Sequence, residues 1–494
     1  MRVLVPADEV FTATESLRGG ERVLLLSSAG VSTTTVAIAG SSGGNFLHVF
    51  GLVDASILGV SLGGELSAQD LRRLEGDTFD AFLITLLLDE PAKPASDGNT
   101  LRIAEGGVVS AGGIGVALTG PQQLVSNFGT IGANGYGIFS DAEDATIFND
   151  GTVFGDTGLR LHGTARLIND GVIGGRVGIE VSSQDSVSIL NRGHIEGGVV
   201  EESDGLAVSI LSSASKGVLR NTGEIVGDVS VPFSVKVFNS GSISGDVEAV
   251  EYVGRGGQIA GNLDAGAIIG GPQNLGVRFD LRESEVLKVV SGSNTTDRFD
   301  LRDAVIGQAV LGLQGDDTYL VNDAAIPIFE AQAFGRDSVV AYVDYALRDN
   351  FEDLNLRGDA LIGQGNTLDN RIVGNISGNI LLGEGGDDRI FGGAGDDVLS
   401  DGTGIDLLFG GAGADIFVFS ADGDVDVVKD FEVGVDRLDV SLWGALDLSD
   451  LAVTELRSGL FRVAMAEEFL FLHADQDATL TEIAVSETFF FEML

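Results

Sequence analysis

Gly392-Gly393-Ala394-Gly395-Asp396-Asp397-Val398-Leu399-Ser400 decides how this chain is read. It is one copy of a nine-residue unit, Gly-Gly-x-Gly-x-Asp-x-apolar-x, that runs without a gap through residues 383–391, 392–400, 401–409 and 410–418. The sixth position holds Asp388, Asp397, Asp406 and Asp415, and the eighth holds Ile390, Leu399, Leu408 and Phe417. Six residues make a turn in which glycine permits positive φ and close backbone approach. Three make a short strand whose apolar member points inward. If two units complete one turn of a roll, residues 18 apart stack on one edge, placing Asp388 over Asp406 and Asp397 over Asp415. Stacked carboxylates beside the carbonyls of glycine-rich turns form an all-oxygen cage, which suits a hard cation such as calcium.

The same frame continues upstream in weaker form. Residues 365–373 and 374–382 keep the nine-residue spacing with Asn370 and Asn379 at position six. Asparagine is neutral, so these turns are expected to bind calcium weakly or to cap the roll through side-chain hydrogen bonds. Residues 312–320 are a nonapeptide with the second glycine lost, leaving Asp317 as a weaker candidate ligand. Residues 272–364 as a whole read as a degenerate roll or linking region.

A looser repeat fills the N-terminal half. The pattern apolar-Asn-x-Gly-x-apolar recurs around Asn127, Asn149, Asn169, Asn191, Asn221 and Asn239, at separations of 22, 20, 22, 30 and 18 residues. A period near 20 indicates one solenoid coil per repeat, and alternation such as Ala207-Val208-Ser209-Ile210-Leu211 favours strand over helix. Asparagines stacked at one corner would bond along the axis, with the glycine two residues on making the bend. The solenoid is expected over residues 22–271. Residues 67–80 form an amphipathic break, read as one helix across a coil or an entry cap. The apolar run 81–88 is too short to span a bilayer and reads as a core strand.

Composition bounds the function. The 494 residues include 74 acidic and 29 basic side chains, a formal charge of −45. Such a chain is a poor nucleic-acid partner, because phosphate binding needs a basic face. It also repels itself until cations neutralise it. There are 72 glycines, 7 prolines and no cysteine, so the fold uses no disulfide. Residues 1–20 are mixed and acidic, unlike an N-terminal secretory signal. No His-Glu-x-x-His zinc motif and no phosphate loop occurs.

From about residue 290 onward, about two fifths of its length, the chain resembles the RTX (repeats-in-toxin) family of bacterial exported proteins. The nonapeptides carry the resemblance. So does the tail, Ala414-Asp415-Ile416-Phe417-Val418-Phe419 followed by residues 429–439, which is similar to the segment closing the β-roll of serralysin-type proteases. The resemblance implies calcium held between one turn and the second turn after it. The ligands would be positions 2, 4 and 6 of the first turn and 1, 3 and 6 of the second. One site would then use the carbonyls of Glu384 and Gly386 with Asp388, then Asp401, Thr403 and Asp406. The other would use Gly393, Gly395 and Asp397, then Gly410, Ala412 and Asp415. Glu384, Asp401 and Gly402-Thr403 depart from the family's glycine pattern, which weakens the first site. The family also implies type I export through an uncleaved C-terminal signal. Residues 463–494, which contain no lysine or arginine and close on Phe489-Phe490-Phe491-Glu492-Met493-Leu494, fit that expectation.

The expected fold is therefore all-β: a right-handed parallel β-solenoid, a calcium-binding parallel β-roll and a small C-terminal cap. The expected divisions are an N-terminal segment 1–21, the solenoid 22–271, the degenerate region 272–364, the roll 365–420, and the cap with a secretion signal 421–494. The expected function is a secreted calcium-binding structural protein of a Gram-negative surface or extracellular matrix. An adhesin, a surface-layer subunit or a filament-forming protein would fit, with self-assembly or glycan contact and no transmembrane segment. The alternative is a β-helix polysaccharide lyase or epimerase. Its best candidates are Arg160, His162 and Arg166 near Asp170, with His194 in an Asn-Gly corner.

Overall fold

The computed structural model describes residues 99–474 except 183–185, 199–204, 212–215, 266–275, 333 and 445–449, together with the backbone of nine strands between Arg2 and Leu62. Almost every described element is a strand, and the pairing is parallel throughout until the last hairpins. The chain forms two compact units: residues 1–273 with 284–288, and residues 274–283 with 289–494.

The first unit is a parallel β-solenoid in which each coil contributes one strand to each of three sheets. Strands Gln123–Asn127, Thr130–Ala133 and Tyr136–Asp141 make one coil; Ala145–Asn149, Thr152–Phe154 and Thr157–Leu161 make the next. The alternation in the sequence places at least one apolar residue of each of these strands inward, in register from coil to coil. Val125, Ile147, Leu167, Ile189, Leu219, Val237 and Tyr252 stack on one face. Ile131, Val153, Ile173, Ile195, Ile225, Ile243 and Ile259 stack on the second. All of them are buried. β-Branched residues dominate because they pack well on a pleated surface. Each fully buried aliphatic side chain contributes about 2 kcal/mol of transfer free energy.

Stacking starts earlier than residue 22. Arg2–Val5 already pairs in parallel with Arg22–Leu25. This first coil lacks the Asn-x-Gly signature of later ones, so the sequence left it unmarked. Phe46–Val49 pairs directly with Thr100–Ile103, and Leu58–Leu62 with Ile114–Thr119. The expected break at 67–80 and the apolar run 81–88 lie outside the described residues.

In the second unit the coil changes length. Phe279, Phe299, Tyr319 and Val339 pair at offsets of 20 residues; Leu354, Ile372, Ile390 and Leu408 pair at offsets of 18. The 18-residue part is a two-sheet roll. Arg371–Val373, Arg389–Ala394 and Leu407–Ala412 form one sheet, and Ile362–Gln364, Ile380–Leu382, Val398–Ser400 and Ile416–Val418 form the other. Ile390, Leu399, Leu408 and Phe417 fill the space between them, as the nonapeptide predicts. The region 272–364 is thus not one uniform degenerate roll. Its first coils keep a 20-residue perimeter, and its last joins the 18-residue frame. Beyond the roll, Val425–Phe431 pairs with Glu468–Ala474, which closes an antiparallel sheet with Leu460–Met465 and Ala452–Arg457. The C-terminal residues 475–494 lie outside the described part.

Candidate metal centre

The turns of the roll stack at the spacing that the nonapeptide implies. At positions 2 and 4 the backbone is left-handed: Gly393 and Gly395 have φ of 110° and 109°. Glu384, which occupies position 2 of its turn, is forced to φ 75°. The glycines also admit a close neighbour. A β-carbon on Gly402 or Gly404 would collide with the carbonyl oxygen of Glu384 or Gly386, and one on Gly411 or Gly413 with that of Gly393 or Gly395. The four carbonyls expected as ligands of the first turns therefore project into the gap between stacked turns. The carbonyls of Thr403 and Ala412 face back, accepting the N–H of Gly386 at 2.9 Å and of Gly395 at 2.8 Å. Each keeps a second lone pair.

The position-six carboxylates form two ladders. On one edge Asp388 Oδ1 accepts the Asn370 N–H (2.7 Å), Asp406 Oδ1 the Asp388 N–H (2.7 Å) and Asp426 Oδ1 the Asp406 N–H (3.0 Å). On the other, Asp397 Oδ1 accepts from Asn379 (2.6 Å), Asp415 Oδ1 from Asp397 (2.8 Å) and Asp436 Oδ1 from Asp415 (2.9 Å). One oxygen of each carboxylate is thereby used. The other, Oδ2 of Asp388, Asp397, Asp406 and Asp415, is buried with no hydrogen-bond partner. A carboxylate only accepts, so an orphaned oxygen in the interior is costly unless a cation answers it. These oxygens turn toward position 1 of their own turn. A β-carbon on Gly383 would meet both Asp388 Oδ2 and the Asp401 carbonyl; one on Gly392 would meet Asp397 Oδ2 and the Gly410 carbonyl at 2.5 Å. Asp388 with Asp401, and Asp397 with Gly410, thus converge as the expected ligand sets require.

Burial dominates the electrostatics. It pushes Asp388 up to about 8, and Asp397 and Asp406 to about 7. The negative charge of a stacked carboxylate adds to it, Asp406 on Asp388 and Asp415 on Asp397. Asp415 is raised for the same first reason. A set of oxygens that disfavours its own ionised form, and whose free lone pairs face one gap, suits a divalent cation.

The departures have their own geometry. Asp401, at position 1 in place of glycine, is buried and accepts the Gly402 N–H at 2.6 Å and the Ser420 N–H at 3.0 Å. Burial drives it to about 9. Its carboxylate lies with those of Asp406 and Asp426 so that one oxygen from each falls within 4.8 Å of the others. Asp401 and Asp406 of the first expected set thus meet a further acid, Asp426, that the sequence did not mark. Asp426 follows Asp406 by 20 residues, outside the nine-residue count. Asn370 and Asn379 behave differently from the aspartates. Their Oδ1 atoms accept from Asn366 and Asn375 of their own turns, and their Nδ2 atoms donate to Phe351 and Ala360 carbonyls. Both amides are internally satisfied.

The four candidates Arg160, His162, Arg166 and His194 do not share one set of partners. Arg160 pairs with Glu180 at 3.5 Å and lies over the Tyr136 ring, while His162 meets Ser182. Arg166 sits exposed on a different sheet, and Asp170 pairs with Arg192 of the next coil. His194 lies 3.0 Å from Glu224.

The family profile of the RTX calcium-binding nonapeptide repeat, in four copies, matches residues 364–399 and 391–426. A solved structure of a subunit of the mannuronan C5-epimerase of Azotobacter vinelandii is 32% identical, over 22% of this chain and 71% of its own length, at a TM-score of 0.19. No curated protein matches the chain. Residues 364–426 are RTX repeats, and calcium is the ion such repeats bind.

Proposed function

We propose that this chain is a secreted calcium-binding structural protein of a bacterial surface or extracellular matrix, whose roll folds on calcium outside the cell. An adhesin, a surface-layer subunit or a filament-forming protein fits this description. The observation that carries it is the set of four buried, unpartnered carboxylate oxygens on Asp388, Asp397, Asp406 and Asp415. The sites would be Glu384, Gly386 and Asp388 with Asp401, Thr403 and Asp406, and Gly393, Gly395 and Asp397 with Gly410, Ala412 and Asp415.

Calcium would supply two positive charges between turns that otherwise repel, so its binding energy becomes folding energy. Where free calcium is scarce the segment stays open, which suits passage through a narrow exporter. RTX repeats are typical of type I export, and no helix among the described residues is long and apolar enough to cross a membrane. With a formal charge of −45, copies repel one another until divalent ions bridge them.

The test is circular dichroism and limited proteolysis of the full chain across a calcium titration, with light scattering in parallel. A gain of β signal and protease resistance is expected. Asp397→Ala should weaken the response more than Asn379→Ala, because only Asp397 leaves an oxygen for the ion. Equal compactness in excess EGTA overturns the reading. A monodisperse monomer in millimolar calcium removes the assembly part alone. Unsaturated products from an acidic polysaccharide would move the assignment to a lyase.

A further inference from the structure

Upstream of the matched repeats, a second group of acids converges inside the second unit. One carboxylate oxygen from each of Asp317, Glu330 and Asp337 lies within 4.8 Å of the others. Asp317 and Asp337 are buried at 1% and 2% exposure, and Glu330 is half-buried. The backbone explains the convergence. Asp317 closes the nonapeptide-like turn whose position 2, Leu313, stands at φ 82° and whose position 4, Gly315, at 125°. Asp337 is its counterpart one 20-residue coil later, and Asp337 Oδ1 accepts the Asp317 N–H at 2.8 Å. Glu330 follows the short strand Ile328–Phe329 and reaches in from the side.

The group is more than a cluster of negative charge. Asp317 spends Oδ1 on the Asp297 N–H at 2.7 Å, and its Oδ2 is buried without a partner. That orphaned atom is aimed at the others. A β-carbon placed on Gly312 would collide at once with Asp317 Oδ2, Glu330 Oε1 and the Tyr319 hydroxyl oxygen. Three oxygens thus face one small space that only a glycine leaves open. Tyr319 is fixed there by a ring stack on Phe299, 4.9 Å between centroids, and donates its hydroxyl proton to Glu330 Oε1. Arg336, the chain neighbour of Asp337, turns away to pair with Asp353 at 2.9 Å.

We propose that Asp317, Glu330 and Asp337 form a further calcium site, upstream of the matched repeats at 364–426 and built on side-chain carboxylates rather than on turn carbonyls. Three carboxylates and a phenol oxygen are the donor set of a hard divalent cation. The ion would tie the side segment carrying Glu330 to two successive coils. This site uses none of the roll's ligands.

The experiment is calcium stoichiometry on the full-length protein, by elemental analysis after equilibration in calcium buffer. It is read beside terbium(III) luminescence excited through tyrosine. Glu330→Gln is expected to hold one calcium fewer than the unaltered chain. Tyr319→Phe keeps every carboxylate, so it should keep the stoichiometry but lose part of the tyrosine-sensitised terbium emission. Asp388→Asn, in the roll, should lower the calcium count and leave that part of the emission intact. Undiminished emission in Tyr319→Phe overturns the proposal, as does an unchanged calcium count in a folded Glu330→Gln. If Glu330→Gln fails to fold, Tyr319→Phe decides alone. A roll that binds no calcium while the Tyr319-dependent signal persists would sink the RTX reading and spare this one.

Discussion

The two units hold their coils together with side-chain ladders that differ by one atom type. In the first, Asn127, Asn149, Asn169, Asn191, Asn221 and Asn239 stand one above another, each Nδ2 donating to the next Oδ1 at 2.7–2.8 Å. Each Nδ2 also approaches carbonyls at the corner, as Asn169 does with Gly171 and His194. An amide both donates and accepts, so the column closes on itself and needs nothing from outside. In the roll the rungs are aspartates. One oxygen takes a backbone N–H and the other is stranded. Exchanging nitrogen for oxygen turns a self-sufficient spine into one that depends on a cation.

Removing calcium is the strongest way to separate the two ladders. In metal-free buffer, amides around Ile390, Leu399 and Leu408 should lose hydrogen-exchange protection. Those around Ile147, Leu167 and Ile189 should keep theirs. Loss of protection in both regions together would mean that the asparagine column is not independent.

Next in size is Asn169→Asp. It would set a carboxylate against the Asn191 Oδ1 and the Gly171 and His194 carbonyls, all of which now receive its N–H groups. We expect a loss of about 3–5 kcal/mol, the scale of an uncompensated buried charge, read by denaturant unfolding and unchanged by calcium. Asn169→Ala should cost less, about 1–3 kcal/mol for the unsatisfied neighbours.

Acid should act with opposite sign on the metal-free and calcium-loaded roll. Folded values of about 8 for Asp388 and about 7 for Asp397 and Asp406 stand above the ordinary value of about 4. The folded form therefore binds protons more tightly than the open chain. The resulting stabilisation is complete below about pH 4 and disappears as pH rises through 7–8. Metal-free protein should accordingly melt at a higher temperature at about pH 5 than at about pH 8. Calcium needs the deprotonated carboxylates, so apparent calcium affinity should fall over the same range as pH is lowered. Calorimetry at both pH values, with and without the ion, checks the crossing.

The smallest effect concerns Glu384, held at φ 75° where its equivalents are glycine. Glu384→Gly should raise stability in calcium by about 1 kcal/mol, the cost of a left-handed L-residue. The exposed bond from Gln364 to Glu384 Oε1 sets little against it.

Much of this was legible because both ladders are local codes repeated at a fixed interval. The Asn-x-Gly corners and the position-six aspartates each mark one coil, and the apolar positions between them are the buried ones. The role of the glycine two residues after each asparagine was not legible. None of Gly129, Gly151 or Gly171 has positive φ. A β-carbon on Gly151 would strike the carbonyl of Gly129, and one on Gly171 that of Gly151. The glycine is demanded by the coil beneath, not by its own bend. The basic residues at 160–166 looked like one cluster along the chain; the coil corner sends Arg166 to a different sheet, and Arg160 and His162 each take a partner from the next coil, Glu180 and Ser182.

From the sequence alone came the parallel all-β coils, the two repeat periods, the inward apolar positions and the affinity for calcium. Each depends on residues within one repeat and on a count of nine or about twenty. Tertiary structure decided the coil length in the linking region, the stacking that begins at Arg2, and the meeting of Asp401 with Asp426 and of Asp317 with Glu330. Those pairings depend on which residues fall opposite one another across coils of unequal length, and a one-residue change in perimeter moves every later side chain to a different neighbour.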